Sequence, residues 1–451
     1  MSKTTLPVEL AHIFASGFSS ENVSSIKLAK STPEWDGRTS TVIVTDDCNL
    51  RCTYCYCNHE PVSMTWETAK QFIDNLFEQG LEYSEIPKNE HDALYHRKIF
   101  EFIGGEPLLE SPLMFQCMDY ITKRIEKLPN NHPWKRTDWL CDCGANHDVG
   151  YKFQIGTNGL LLNDKNIQER LLQYDGRVLS IAVTLDGPKE MHDLCRVTAS
   201  GAPSWEQVMN ARKWMDIHFP QFNLNTKSTI AHENVGYVSE IVRFFYGIGA
   251  TSLSQNCVFE DVWRDGDQLI LFDQLCHAAD FLIEDKKYEH FYVRWFDPNM
   301  FNKRIDLSSW CGAGTFMDAC DHSGAIYPCL RFKTLSQRTP FVVGNVVDGK
   351  SQTLVDMFKE CKYSPESQTE VTGVNCEDCQ VSALCADCKA YSYDCYGRLD
   401  VKAAFICPMH KAAVCANIYF FSKILGTEID RDYLLYLLAE WTKNDHFYKE
   451  K

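Results

Sequence analysis

The sequence predicts an α/β protein: a partial (β/α)6 TIM barrel followed by a cysteine-rich metal-binding domain. Three observations carry this. Between residues 40 and 265, six short β-branched or apolar runs alternate with amphipathic helical stretches. Three cysteines, Cys48, Cys52 and Cys55, crowd the loop directly after the first run. A second cysteine array extends from Cys311 to Cys407.

The expected strands are Ser40–Thr45, Ile99–Ile103, Lys152–Ile155, Leu179–Leu185, Phe222–Ile230 and Leu253–Phe259. Between them lie the helical stretches Thr65–Phe77, Leu113–Leu128, Lys165–Tyr174, Trp205–His218 and Val235–Tyr246. Six β/α units in series imply a parallel sheet with right-handed crossovers. A doubly wound open sheet is the alternative. Barrels carry their chemistry on loops after the C-terminal ends of strands, and the first cysteine loop occupies such a position. Residues 1–39 form an N-terminal extension and 40–265 the barrel. Residues 130–150 are polar and interrupt the third unit; Cys141, Cys143 and His147 there suit either zinc or a solvated insertion. Residues 266–310 read as a bridge, with a helix at Asp267–Asp285 and a strand-like run at Phe291–Phe296. The cysteine-rich domain covers 311–410. A helical tail, 411–451, carries Ile418, Phe421, Ile424 and Leu425 at helical spacing.

Composition narrows the function. The chain has 451 residues, 45% of them hydrophobic, and a formal charge of −16. That charge argues against a nucleic-acid partner, since phosphate binding needs a basic surface. No run reaches the ~18 apolar residues of a membrane span, and the N-terminus lacks the regions of a signal peptide. A cytoplasmic protein is expected. In that reducing compartment 21 cysteines call for metal rather than disulfides.

The run Cys48-x3-Cys52-x2-Cys55 lets three thiolates converge on one loop. Three thiolates fit three corners of a 4Fe–4S cube and leave the fourth iron open to a small molecule. Spacing alone also allows buried or zinc-bound cysteines. One β/α unit later comes Gly104-Gly105-Glu106-Pro107, where two glycines free the backbone for close approach and a carboxylate suits an ammonium group. Gly156-Thr157-Asn158-Gly159 follows the third strand. Thr184-Leu185-Asp186-Gly187 ends the fourth, with His192, Asp193 and Arg196 beyond. Singly, each loop suits ordinary turn chemistry. In order at successive strand ends, they resemble the cofactor loops of radical SAM enzymes. The resemblance implies a cluster on Cys48, Cys52 and Cys55 whose open iron is chelated by S-adenosyl-L-methionine. It implies Gly104, Gly105, Glu106 and Pro107 near the methionine amino group, and Thr157, Asn158, Thr184 and Asp186 near ribose. Arg196 is expected at the cofactor carboxylate and Tyr54 at adenine. It also implies one-electron cleavage of the sulfonium and hydrogen abstraction from a substrate.

The second array reads Cys311, Cys320, Cys329, then Cys376-x2-Cys379-x5-Cys385-x2-Cys388, then Cys407. Paired Cys-x2-Cys motifs suit zinc as well as iron–sulfur. The order resembles the SPASM extension of radical SAM enzymes, which carries two auxiliary 4Fe–4S clusters and so implies three clusters in all. Auxiliary cluster I would take Cys311, Cys329 and Cys388, with Cys320 the candidate for its remaining ligand. Auxiliary cluster II would take Cys376, Cys379, Cys385 and Cys407. The last gap departs from the usual pattern by one residue. Cys57 and Cys395 lie beside the ligand sets, and the isolated cysteines read as buried apolar residues.

Sulfatase maturases place an aspartate base directly after the Tyr-Pro-Cys cysteine; here Leu330 follows Cys329. The runs Asn256–Trp263, Arg294–Pro298 and Cys329–Phe332 resemble maturases of precursors with Cys-x-x-x repeats, the thioether-forming ranthipeptide type. That resemblance implies a leader-bearing, Cys-rich precursor peptide and a sulfur-to-carbon thioether. It also implies a flavodoxin or ferredoxin as one-electron reductant and, given the short N-terminal stretch, a leader-binding domain that is either absent or supplied as a separate protein. Carbon–carbon or carbon–oxygen crosslinking, epimerisation and sulfatase maturation are the enzymatic alternatives. An iron–sulfur electron carrier is the non-enzymatic one.

Overall fold

A computed structural model describes residues 26–29, 38–81, 98–130, 132–135, 150–174, 176, 178–220, 225–298, 312–376, 379, 381, 387–427 and 429–447. Four parallel β/α units open the fold: β1 (Arg38–Thr45), α1 (Trp66–Leu81), β2 (Lys98–Gly104), α2 (Ser111–Glu126), β3 (Tyr151–Thr157), α3 (Lys165–Leu171) and β4 (Leu179–Val183). Then come α4 (Lys189–Cys195), α5 (Trp205–His218), β5 (Asn225–Ile230), α6 (Val238–Gly247), β6 (Ser252–Cys257), α7 (Asp267–Ile283) and β7 (Tyr292–Val293). All six expected strands are present, although residues 222–224 of the fifth lie outside the described set. The Cys141, Cys143 and His147 segment lies outside it too.

The differences from expectation have local causes. The fourth strand ends at Val183, two residues before its expected end; its last ladder bond runs from Thr184 N to Thr157 O at 3.1 Å. A 3-10 stretch, His232–Tyr237, takes the place of the first turn of the helix expected from Val235. Phe291–Phe296 forms two ladder residues and then a 3-10 turn, Arg294–Phe296, which aims Arg294 at Asn256 Oδ1, 2.7 Å away.

The cysteine-rich region adds a strand to the barrel. β8 (Met317–Cys320) pairs parallel with β1, Thr39 opposite Met317 through Val42 opposite Cys320. β9 (Ala325–Tyr327), β10 (Gly344–Asn345) and β11 (Gly349–Lys350) extend that edge antiparallel. The result is two arcs, β11-β10-β9-β8-β1-β2-β3-β4 and β5-β6-β7. The ends of β4 and β5 meet where Ser228 Oγ donates to Asp186 O at 2.8 Å and Thr229 N donates to Asp186 Oδ1 at 3.2 Å.

The dry core lies outside the sheet. Phe100, Phe102, Phe153, Ile155, Leu179 and Ile181 face the helices and are buried. Their alternating neighbours Glu101, Gln154, Ser180 and Ala182 face inward and are partly or fully exposed. Period-two alternation therefore separates an apolar outer face from a polar inner one.

After β11 come α8 (Gln352–Glu360), α9 (Pro365–Thr372), α10 (Lys389–Tyr396), α11 (Cys407–Leu425) and α12 (Arg431–Thr442). The helical stretch Ala404–Leu425 is long and apolar enough to cross a membrane by length and composition, contrary to the expectation of no such run. It is 83% buried inside the protein, as a core helix is. Lys411 on it is also buried, its ammonium donating to Trp441 O and Asp445 Oδ1, both at 2.6 Å.

One buried cation sits at the foot of the sheet. Lys98 donates to Ser40 Oγ at 2.5 Å beside the Asp318–Lys350 pair. Burial pushes its ammonium down to about 7 from the ordinary 10.5, against the pull of Asp318. Between those two values the unfolded chain holds a proton that the folded one releases, so this group makes stability rise with pH there. Lys98→Met is expected to raise the melting temperature at pH 7, with the gain over wild type shrinking towards pH 10. Thermal scans across that range measure it.

Candidate active site

The loop after β1 is pinned on both sides. Asp46 N donates to Val62 O at 3.0 Å, Arg51 N to Val197 O at 2.8 Å and Thr53 N to Cys195 O at 3.0 Å. Within this frame Cys55 N donates to Cys52 O at 3.0 Å, a turn that brings the three thiols together. Cys48 and Cys52 each feel the charge of Cys55, and Cys52 feels Cys48 as well. Cys48 Sγ accepts from Leu50 N at 3.4 Å and from Asn158 Nδ2 at 3.7 Å. A hydrogen bond from Cys57, helped by His59 at 3.3 Å, holds the Cys55 thiol down to about 5. Burial pushes Cys52 up to about 11, opposed by Arg196. Among the described residues no three His, Cys, Asp or Glu side chains gather as ligands of a single ion would. A cube spreads its thiolates more widely than one ion does.

Close backbone contact explains Gly104 and Gly105. A Cβ on Gly104 would lie 2.2 Å from Thr45 O, and one on Gly105 2.3 Å from Asp47 O. Gly105 N donates to Thr45 O at 3.0 Å and Glu106 N to Asp47 O at 2.8 Å. The cysteine loop and the Gly-Gly-Glu-Pro turn are thus one unit, with Pro107 opening the 3-10 turn Pro107–Glu110.

Glu106 is fully buried and its carboxylate has protein partners. Oε1 accepts from Leu108 N at 3.0 Å and Thr157 Oγ1 at 2.7 Å; Oε2 accepts from Asn158 N at 2.8 Å. Burial raises its pKa, against these bonds. Asn158 Nδ2 donates to Asn49 Oδ1 at 2.6 Å. Glu106, Thr157 and Asn158, expected at the cofactor, are thus turned largely towards one another and the cysteine loop.

Tyr54, Asp186 and Arg196 form a second buried group. Tyr54 OH donates to Asp186 Oδ2, and Arg196 Nη1 donates to Tyr54 OH at 2.8 Å. Burial raises the pKa of Asp186 and of the Tyr54 phenol. Neighbouring Tyr54, Asp186 and Cys52 keep the Arg196 guanidinium charged despite burial. Its Nε is buried without a hydrogen-bond partner. An orphaned donor of a fixed cation, close enough to Cys52 for each to feel the other's charge, fits an anionic group such as a carboxylate.

The cysteine-rich region reaches this mouth. The Arg331 guanidinium lies 4.5 Å from the Tyr56 ring centre and 5.5 Å from that of Tyr391, and it pairs with Glu260. Lys333 pairs with Asp46. The Cys329 thiol is near enough for Tyr56 to feel its charge. Cys379 N donates to Cys376 O at 3.4 Å, and Cys379 feels Lys411. Cys407 begins α11. Cys388, half-buried, precedes α10. Cys320 is fully buried in the apolar layer with Val42, and Asp321 and Asp318 are the charges its thiol feels. Cys311 and Cys385 lie outside the described residues. Sequence reasoning missed His59, Tyr56 and Arg331; the one backbone mark among them is the left-handed φ of 56° at His59. An exterior cleft of about 590 Å³, lined by Trp66, Phe115, Tyr120 and Arg170, includes none of these site residues.

A parallel α/β barrel with a three-thiol loop after its first strand and a fixed cation beside it defines a class. Residues 42–244 match the model of the Radical SAM superfamily. The chain carries a radical SAM domain and is a radical SAM enzyme. Such enzymes bind a 4Fe–4S cluster and S-adenosylmethionine. An uncharacterized protein of Methanocaldococcus jannaschii, MJ0907, is 26% identical over 213 residues, 47% of this chain and 59% of its own. The serine-type anaerobic sulfatase-maturating enzyme of Bacteroides thetaiotaomicron is 25% identical over 335 residues, 69% of this chain and 72% of its own. The subtilosin biosynthesis protein AlbA of Bacillus subtilis is 20% identical over 362 residues, 77% of this chain and 66% of its own. The solved structure of native anSMEcpe with bound AdoMet and Cp18Cys peptide shares the fold, with a TM-score of 0.60 at 19% identity over 86% of this chain and 98% of that one.

Glu106→Gln would put an amide N–H₂ against one or more of three donors. It is expected to cost about 2–3 kcal/mol of stability, read by denaturant unfolding, and to lower the iron retained after reconstitution. Glu106→Asp should fall between the two.

Proposed function

We propose that this enzyme is a peptide maturase that forms sulfur-to-carbon thioethers in a Cys-containing, ribosomally made precursor. The contact that carries the proposal is Arg331 against Tyr56, two residues after Cys329 and one after Cys55. It sets the cysteine-rich region at the mouth of the radical site, where an auxiliary cluster would take up the electron released when sulfur adds to carbon. Similarity to a sulfatase maturase and to a bacteriocin biosynthesis protein supports a polypeptide substrate.

In this proposal Cys48, Cys52 and Cys55 hold the first cluster. When bound, that cluster and S-adenosylmethionine supply a one-electron cleavage and a hydrogen-abstracting radical. The chain's own residues hold and orient. Arg196 turns its unpartnered Nε to the cofactor carboxylate, with Tyr54 and Asp186 fixing the guanidinium. Gly104 and Gly105 keep the wall thin beside the cluster loop. Cys311, Cys329 and Cys388 would serve auxiliary cluster I, and Cys376, Cys379, Cys385 and Cys407 auxiliary cluster II. Cys320 faces the dry layer outside the sheet and is left out of this set. A flavodoxin or ferredoxin would supply the first electron.

Maturation of a sulfatase is the second reading, favoured by the Bacteroides relative. Leu330, an apolar residue where such an enzyme needs a base, speaks against it.

Anaerobic incubation with Cys-containing precursors, followed by alkylation and mass spectrometry, separates the readings. The expected product has lost two hydrogens and one alkylatable thiol per link. A crosslinked product with every cysteine still alkylated would overturn the thioether assignment. Arg196→Met is expected to weaken S-adenosylmethionine binding by about 10–100-fold, the worth of a buried charged hydrogen bond. Equilibrium dialysis of the reconstituted protein measures it.

A further inference from the structure

The interior of a (β/α) barrel is usually filled by layers of branched apolar side chains. Here the middle layer of the inner wall is polar. Strand register sets Thr41 level with Glu101, Gln154 and Ser180 on the first arc, and Lys227 level with Ser254 on the second. Lys227 is exposed, and Glu101, Gln154, Ser180 and Ser254 are partly so. The outward neighbours of Lys227, Thr226 and Ser228, are buried. Its exposure is therefore to the lumen. Glu101 on β2 and Asp186 at the end of β4 both feel the Lys227 charge, in keeping with its place on the inner face.

The two charged groups of this layer differ. Glu101 is engaged: its carboxylate accepts from Thr41 Oγ1 at 2.5 Å and from Gln154 Nε2 at 3.2 Å. No hydrogen bond or ion pair holds the Lys227 ammonium among the described residues. In a chain of net charge −16, an exposed ammonium on the polar inner face, with no hydrogen bond or ion pair among the described residues, suits an anionic ligand that could approach more closely than the Glu101 and Asp186 carboxylates do. The methionyl carboxylate of the cofactor is one source of such an anion. Arg196 already offers it a buried donor at the mouth, whereas Lys227 lies a layer below Thr229, whose N–H holds Asp186.

We propose that the lumen receives the acceptor residue of the peptide substrate and that Lys227 is its specificity residue, selecting a carboxylate side chain, Asp or Glu. The word "acceptor" rests on the peptide-maturase proposal; the anion site stands without it.

The test uses full-length protein with reconstituted clusters under argon. N-acetyl-glutamic acid α-amide and N-acetyl-glutamine α-amide serve as probes, and acetylation of Lys227 by a small reagent is quantified by peptide mass spectrometry. The expected result is labelling of Lys227 in the folded protein, slowed about fivefold or more by the glutamate probe and unchanged by the glutamine probe. Lys227→Met should bind S-adenosylmethionine as wild type does by equilibrium dialysis. In competition for hydrogen abstraction, Lys227→Met should lose the preference for the glutamate probe and Lys227→Arg should retain it. Three results would overturn the proposal: a Lys227 that does not label, equal protection by the two probes, or weakened cofactor binding in Lys227→Met. Protection needs no variant to fold and no thioether to form, so it survives or fails separately from the thiol-alkylation result.

Discussion

The buried carboxylate of Glu106 joins three loops that would otherwise have no reason to meet. It caps the 3-10 turn after β2, receives the hydroxyl of Thr157 and the amide of Asn158 after β3, and its own N–H reaches Asp47 beside Cys48. A carboxylate this buried is tolerated only with its lone pairs satisfied. Asn158 extends the chain of bonds to Asn49 and to the Cys48 sulfur. The position of the first thiol thus depends on a group more than fifty residues away. The two glycines before Glu106 act by subtraction: any Cβ there would strike the carbonyls that carry the cysteine loop.

The same loop is held from the other side by the cysteine-rich region. Asp46 takes Lys333, and Tyr56 takes the face of Arg331, whose own charge is met by Glu260. Below them β8 lies against β1 in register. The ion pairs are largely shielded from water, so their Coulomb gain is set against real desolvation and their chief effect is geometric. A ladder at Thr39–Val42, an ion pair at Asp46 and a cation–π contact at Tyr56 thus all act on residues 39–56. The C-terminal region is thereby built into the wall of the site, and the spacing between the thiol sets is a property of the fold.

The barrel is dry outside and wet inside. Aromatic and branched residues of β2, β3 and β4 pack under the helices, with Phe77, Phe100 and Trp134 meeting ring to ring at 5.2–6.2 Å. The alternate residues leave a polar lumen below the cluster loop. The sheet is stabilised from its convex side, and its concave side is free for a ligand. That division lets polar groups stand exposed on the concave side without interrupting the apolar packing of the convex side.

The sequence by itself determined the six strands, most helices and the loops that bear the site, because these follow from local periodicity and from cysteine spacing. Trp205–His218 has its expected ends, and β1 to β4 match within about two residues at their starts. Side-chain roles were less legible. Glu106, Thr157 and Asn158 read as cofactor contacts; that they also bond one another was not legible, since a hydrogen bond between loops leaves no trace in either loop's own pattern. The pairing of β8 with β1 was likewise invisible: four residues are too few for a period, and their partner lies about 280 positions earlier. The unpartnered Nε of Arg196 and the wet setting of Lys227 were decided only by tertiary structure. Satisfaction and exposure are properties of what surrounds a group, and distant segments supply those surroundings.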